Sequence, residues 1–304
     1  SSSASRCSSS TRQPDAVLIH ALLAEAIERR ASDVHLKAGV PVAFRIDGEL
    51  VRLDSAVPDE ASMQQIVDTL LTPRQRAGFE ETHGVDFAFT LMHPEKSGER
   101  FRANVYKQRG GLSLAFRHVR RDIPSLHDLH MPPLVEELAF RPRGLILVTG
   151  AVGSGKSTTL AAMISAINDT MPRKIISIED PVEYVHQDRT AFITQREVGV
   201  DTESFHQGLV HILRQDPDVI FIGEIRDADA MNVALTAADT GRLVMSTLHT
   251  ADAAQTVNRI LSFYPPHQHE QVRVMLAGTL QAAIAQRLVR RADGKGRVPA
   301  VEIM

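Results

Sequence analysis

The stretch that most restricts how this chain can fold is GAVGSGKS at 150–157. It satisfies G-x-x-x-x-G-K-S, and it lies between an apolar run, GLILVT, and a helix-forming one, TTLAAMISAI. A strand that feeds a glycine turn into a helix is the context this spacing requires. Gly150, Gly153 and Gly155 let the backbone curl so that successive N–H groups face an anion, and the helix that follows adds its positive end. Ser154 and Thr158 belong to the same cradle. Lys156 is placed to reach the β- and γ-phosphates, and Ser157 to offer a hydroxyl to Mg²⁺. The residues predict a nucleoside triphosphate site, with ATP and Mg²⁺ as the expected ligands.

The surroundings of this loop predict an α/β domain over 143–304. Its strands are GLILVTG, KIISIED, AFITQ, DVIFIGE and RLVMSTLHT, and its helices include STTLAAMISAIND, SFHQGLVHIL, DADAMNVALTAAD and DAAQTVNRILSFY. Strands that are apolar throughout are buried on both faces, as in a mainly parallel sheet covered by helices. The earlier half reads differently. DAVLIHALLAEAIERRASD carries a helical stripe ending near Ser32, and VAFRIDGELVRL contains the hairpin signal Asp47-Gly48. MQQIVDTLLTPRQRAGFEETHG reads as two helices broken at Pro73, and DFAFTL, ERFRANVYKQ and LSLAFRHV as a meander with its last turn at Gly110-Gly111. This gives an α+β domain over 14–130. Pro132, Pro133 and Pro142 around a short helical patch mark 131–142 as a linker, and the serine-rich residues 1–13 read as a disordered tail in which Cys7 has no role.

Composition narrows the function. The 304 residues suffice for two cores, and a net charge of −3 provides no bulk basic field for nucleic acid or a membrane surface. One cysteine excludes internal disulfides and multi-cysteine zinc sites, and a reducing cytosol is the simplest compartment. No apolar run approaches the ~20 residues of a membrane helix. The closest histidine pairs, HDLH at 127–130 and HQH at 267–269, lack acidic or cysteine company at ligand spacing.

Two acidic segments bear on catalysis. DPDVIFIGEIRD, 216–227, ends a buried strand and places Glu224 just beyond it, but the position before, where a metal-holding acid often stands, is Gly223. KIISIEDPVEY, 174–184, ends another buried strand with Glu179, Asp180 and Glu183, and Pro181 forces an extended exit. In an open α/β sheet both strand ends face the phosphate loop's edge. Carboxylates from the second segment can then sit near hydrated Mg²⁺, leaving Glu224 to orient or deprotonate water. A simply solvated acidic corner is the other reading of 179–183.

GAVGSGKSTT, ISIEDPVEY, QREVGVDTESF, RQDPDVIFIGEIRDADAM and STLHTADAAQTVNRI resemble, in order, the signature segments of the secretion-system ATPases, and most of all their type IV pilus retraction (PilT-like) branch. ASDVHLKAGVPVAFRIDGEL and RFRANVYKQRGGLSLAFRHV are similar to that branch's N-terminal domain, so the resemblance runs from about residue 16 to residue 304. It implies a small PAS-like α+β domain followed by a RecA-like P-loop NTPase domain. It also implies a homo-hexameric, cytoplasmic ATPase that powers pilus retraction against an inner-membrane platform protein, without binding nucleic acid. Lys156 and Ser157 match the phosphate-loop pair. Glu179 and Glu183, with Asp180 between them, match the acidic box, and Glu224 matches the catalytic base. His249 in STLHT matches a histidine linked to sensing the γ-phosphate.

Period two in ERFRANV sets Arg100, Arg102 and Asn104 opposite Phe101, Ala103 and Val105, and in LSLAFRHV sets Arg117 opposite Leu112, Leu114 and Phe116. Arginines of adjacent strands can therefore share a polar face. The resemblance implies that Arg102 and Arg117 are supplied to nucleotide. Chains of this branch continue past a segment like VPAVEIM into a helical region, whereas the sequence ends at Met304. Competing expectations are a pilus-extension or type II secretion assembly ATPase, a nucleic-acid motor, and a nucleotide-binding regulator that hydrolyses little.

Overall fold

Polar and apolar side chains alternate over residues 100–105, with Phe101, Ala103 and Val105 buried in the N-terminal sheet. The computed structural model describes residues 15–46, 48–53, 57–94, 96, 98–119, 122–292 and 296–304. The serine-rich tail with Cys7, and Asp47 of the expected hairpin, lie outside the described residues. The chain divides into two units, Ser1–Val119 and Arg120–Met304.

The first unit contains helices α1 (Asp15–Glu28), α2 (Glu60–Leu70) and α3 (Pro73–Thr82), and strands β1 (Asp33–Lys37), β2 (Val40–Ile46), β3 (Glu49–Arg52), β4 (Gly84–Thr90), β5 (Arg100–Gln108) and β6 (Gly111–Val119). The sheet order is β3-β2-β1-β6-β5-β4. The break at Pro73 is a capping box: the Thr72 hydroxyl accepts from the Gln75 N–H, and the Gln75 side chain accepts from the Thr72 N–H. One sheet face supplies Phe44, Phe101 and Phe116, each at most 1% exposed, to a core shared with Leu23 of α1 and Ile66 of α2. The last hairpin turn sits at Arg109-Gly110, one residue earlier than the sequence suggested, because Gln108 pairs with Gly111. Both turn residues have positive φ, 51° and 82°, the pair of values that a two-residue turn of matching twist demands.

The second unit contains α4 (Pro133–Ala139), β7 (Gly144–Thr149), α5 (Lys156–Thr170), β8 (Lys174–Glu179), β9 (Phe192–Glu197), α6 (Phe205–Ile212), β10 (Val219–Ile222), α7 (Ala228–Asp239), β11 (Leu243–Leu248), α8 (Ala253–Leu261), α9 (His269–Thr279), β12 (Leu280–Arg290) and β13 (Arg297–Ile303). Its sheet order is β13-β12-β7-β11-β10-β8-β9, parallel throughout except for the antiparallel β12–β13 pair. Alternate residues of the central strands go to opposite faces. Ile146, Val148, Phe221 and Met245 pack with α4 and α5, while Leu145, Leu147, Ile220 and Ile222 pack with α6, α7 and α9.

Residues 131–142 are not a free linker. Val135, Leu138 and Ala139 of α4 are at most 4% exposed and join the same core as Leu126 and α5. Of the prolines that suggested a linker, Pro132 and Pro133 stand at the start of α4, where a missing N–H costs nothing, and Pro142 lies beyond its end. The boundary between units falls after Val119. No helix among the described residues is long and apolar enough to cross a membrane.

Candidate active site

Four neighbouring parallel strands, β7, β11, β10 and β8, end on one edge of the second sheet, and each delivers part of the site. The phosphate loop follows β7, His249 follows β11, Glu224 follows β10, and 179–183 closes β8. The strand tips are laced together. The Gly223 N–H donates to Ile178 O at 2.8 Å, the Ser246 hydroxyl to Ile222 O at 2.7 Å, and the Thr247 hydroxyl to Gly223 O at 2.8 Å.

The loop has the shape its glycines foretold, with φ of 144° at Gly150, 76° at Gly153 and 91° at Gly155. Lys156 folds back to donate to the carbonyls of Gly150 (2.9 Å) and Ala151 (3.0 Å). Burial pulls its ammonium below the usual lysine value, and the carboxylates of Glu224 and Glu183 push it back. The buried Ser154 hydroxyl has no hydrogen-bond partner among the described residues. A curled glycine backbone, an interior lysine and an unsatisfied hydroxyl at a helix start fit a polyphosphate.

Gly223 has a physical reason to be glycine. A Cβ there would stand 3.3 Å from Glu179 Cα and 3.3 Å from Ile178 O, tighter than side chains normally tolerate. The residue that removes one acid thereby brings the β8 tip against β10. The two acids at these tips have different surroundings. Glu224 lies 3.2 Å from His249 Nε2 and accepts from Arg226 Nε at 3.0 Å, and Arg226 also reaches Asp180 at 3.6 Å. Glu179 is only 5% exposed, and its Oε1 accepts from the Ser177 hydroxyl (2.7 Å) and Gln195 Nε2 (3.0 Å). Burial pushes the Glu179 carboxyl up to about 7.

The expected metal set of Glu179, Asp180 and Glu183 does not gather. Among the described residues no group of three or more His, Cys, Asp or Glu side chains could hold an ion. Glu179 is drawn inward by its neutral partners and Asp180 is paired with Arg226, while the field of Glu183 reaches Lys156. Ser157, on the first turn of α5, stands next in the chain to that lysine.

In the first unit, Arg102 and Arg117 face each other directly across β5 and β6. Arg117 Nε donates to Asp33 Oδ1 at 2.8 Å, and Arg45 approaches the other oxygen of Asp33 at 3.8 Å. The shared polar face is therefore a cross-strand row: Arg45, Asp33, Arg117, Arg102.

Several residues of the site escaped sequence reasoning. Arg226 and Tyr184 lay inside motifs already read, and Tyr184 OH meets Thr158 Oγ1 at 2.8 Å. Gln195 ties Glu179 to the Tyr184 carbonyl and the His186 N–H. Gln286 sits on β12, a strand left unread although AAIAQRLV has the apolar density to suggest one.

A mainly parallel α/β sheet with a glycine loop leading from an interior strand into a helix defines a P-loop NTPase fold. The chain belongs to the type II/IV secretion system protein family, whose model matches residues 9–303. It is 41% identical to the type IV pilus retractation ATPase PilT of Pseudomonas aeruginosa, over 93% of this chain and 81% of that protein. It is 39% identical to the type IV pilus ATPase PilU of the same organism, over 93% of this chain and 73% of that one. A crystal structure of the pilus retraction motor PilT with bound ADP superposes with a TM-score of 0.88 at 46% identity, covering 94% of this chain and 82% of that one.

Proposed function

We propose that the chain is an ATP-hydrolysing motor that works as a homo-hexamer, on the cytoplasmic face of the inner membrane, to retract a type IV pilus through a membrane-embedded platform protein. The observation that carries this reading is the placing of Lys156 inside a glycine cradle and within the field of two carboxylates, Glu183 and Glu224, from adjacent strand ends. Similarity to PilT supports the finer assignment to retraction.

In this mechanism the backbone N–H groups of 150–157 and the Lys156 ammonium bind the phosphates, and Thr158 adds its hydroxyl. Ser157 and Glu183 are the residues that would hold Mg²⁺, which supplies charge neutralisation at the β- and γ-phosphates. Glu224 takes the proton of the attacking water on a carboxylate oxygen, and His249, in contact with Glu224 Oε1, reports the state of that oxygen to the β11 loop. Glu179, its carboxyl pushed up to about 7 by burial, holds Gln195 and with it the 184–186 segment behind Glu183. The resemblance to the PilT-like branch implies that Arg102 and Arg117 are supplied to nucleotide, where a guanidinium stabilises charge on a transferring phosphoryl.

The test is ATP turnover against protein concentration, with sizing in parallel and Lys156→Ala as the blank. The expected result is turnover above the blank that rises steeply as oligomers form. A rate equal to the blank at every concentration would defeat the motor reading.

A further inference from the structure

Gln286 is a polar side chain that ends the buried run of β12, and Arg287 after it is exposed. Its neighbours Ala282, Ala283, Ile284 and Ala285 are at most 5% exposed, and Gln286 itself is 2% exposed. Burying an amide costs free energy unless both its ends are satisfied. Here they are satisfied by the phosphate loop and the helix behind it. Gln286 Nε2 donates to Ser154 O at 2.7 Å, and Oε1 accepts from the Thr159 hydroxyl at 2.8 Å. Thr159 is fully buried on α5.

The loop's glycines bear the imprint of the same residue. A Cβ on Gly155 would stand 2.7 Å from Gln286 Nε2, and one on Gly150 would stand 2.3 Å from the Gln286 carbonyl oxygen. Gly153, by contrast, has open space where a Cβ would go. Two of the three glycines therefore accommodate β12 as well as the curl of the loop itself.

We propose that Gln286 is a positioning residue for the phosphate loop: by holding the Ser154 carbonyl outward it turns the Gly155 N–H inward, toward the bound phosphates. The geometry follows from the planar trans peptide, in which the carbonyl of one residue and the N–H of the next point in opposite directions. Fixing Ser154 O on the β12 side fixes the Gly155 N–H on the other. The bond from Thr159 sets the amide so that Nε2, not Oε1, meets the loop. This rests on the nucleotide reading above and names a residue on which that site's affinity depends.

The test is equilibrium binding of ADP to the full chain, comparing wild type, Gln286→Leu, Gln286→Glu and Thr159→Val, with melting measured in the absence of nucleotide. Loss of one buried hydrogen bond at the loop predicts ADP binding weakened about tenfold in Gln286→Leu. KM for ATP rises in parallel and by more than kcat falls. Gln286→Glu keeps the acceptor for Thr159 but, as a carboxylate, cannot donate to Ser154 O, so it does not rescue. Thr159→Val, which preserves shape, gives a smaller loss in the same direction and serves if the Gln286 variants do not fold. A purely structural role would lower melting and leave the ADP affinity of the folded variants at the wild-type value, and that result overturns the inference. Wild type that binds no ADP would instead defeat the nucleotide reading and this inference with it.

Discussion

The tips of β8 and β10 are adjacent, parallel and in register, yet the acids they carry have opposite surroundings. Glu179 is the last residue of its strand, turned inward, with a hydroxyl and an amide as partners. Glu224 lies two residues past the end of β10, its side chain 25% exposed, between a guanidinium and an imidazole. Burial without a counter-charge favours a protonated acid, as at Glu179. Being an acid at a strand end does not decide a role. The partners do.

The largest break in that comparison would come at Glu224. Glu224→Gln should retain ATP but lose turnover by at least about a hundredfold, since the proton acceptor goes while the cradle remains. Single-turnover kinetics beside a binding titration measures this, and undiminished turnover removes Glu224 from the chemistry.

Glu179→Gln sharpens the other side. The folded-state value, about 7, lies above that of an unfolded glutamate, so this carboxyl favours the folded state fully only at acid pH. Its contribution is lost as pH rises from the unfolded value through about 7. Wild type and Glu179→Gln should therefore match in stability near pH 4, separate progressively as pH rises toward 7 and differ most above it, the glutamine variant being the more stable by at most about 3 kcal/mol. Urea midpoints across that range test it, and a constant difference at all pH values would show that Glu179 is not held protonated by burial.

The smallest effect belongs to Gly223. Gly223→Ala forces the β8 tip to shift by a few tenths of an ångström, at a cost of about 1–2 kcal/mol. Its urea midpoint should fall accordingly. An unchanged midpoint would mean that close approach is not what requires glycine there.

Legibility in the sequence followed the range of the forces involved. The phosphate loop, the helix break at Pro73 and the alternation in β5 depend on neighbours within a few residues, and all could be read directly. The arginine row could be half read: period two put Arg102 and Arg117 on polar faces, but register alone set them opposite each other and beside Asp33. Within 131–142 the short helical patch could be read but not its burial, because the core that receives Val135 and Leu138 is built by residues distant in the chain. Gln286 was invisible because its partners lie 132 and 127 residues away. The inward turn of Glu179 was hidden for a similar reason, since Gln195 comes from a different strand.

The row Arg45, Asp33, Arg117, Arg102 bears on how charge totals should be used. Along it three guanidiniums stand in register with one carboxylate, on a chain whose formal sum is −3. Averaging over the polymer erases this stripe, although salt screens charge beyond about 8–10 Å and any anion meets only what lies within that radius. For such a molecule the isoelectric point describes behaviour on an ion-exchange column, and attraction at a given patch has to be reckoned strand by strand.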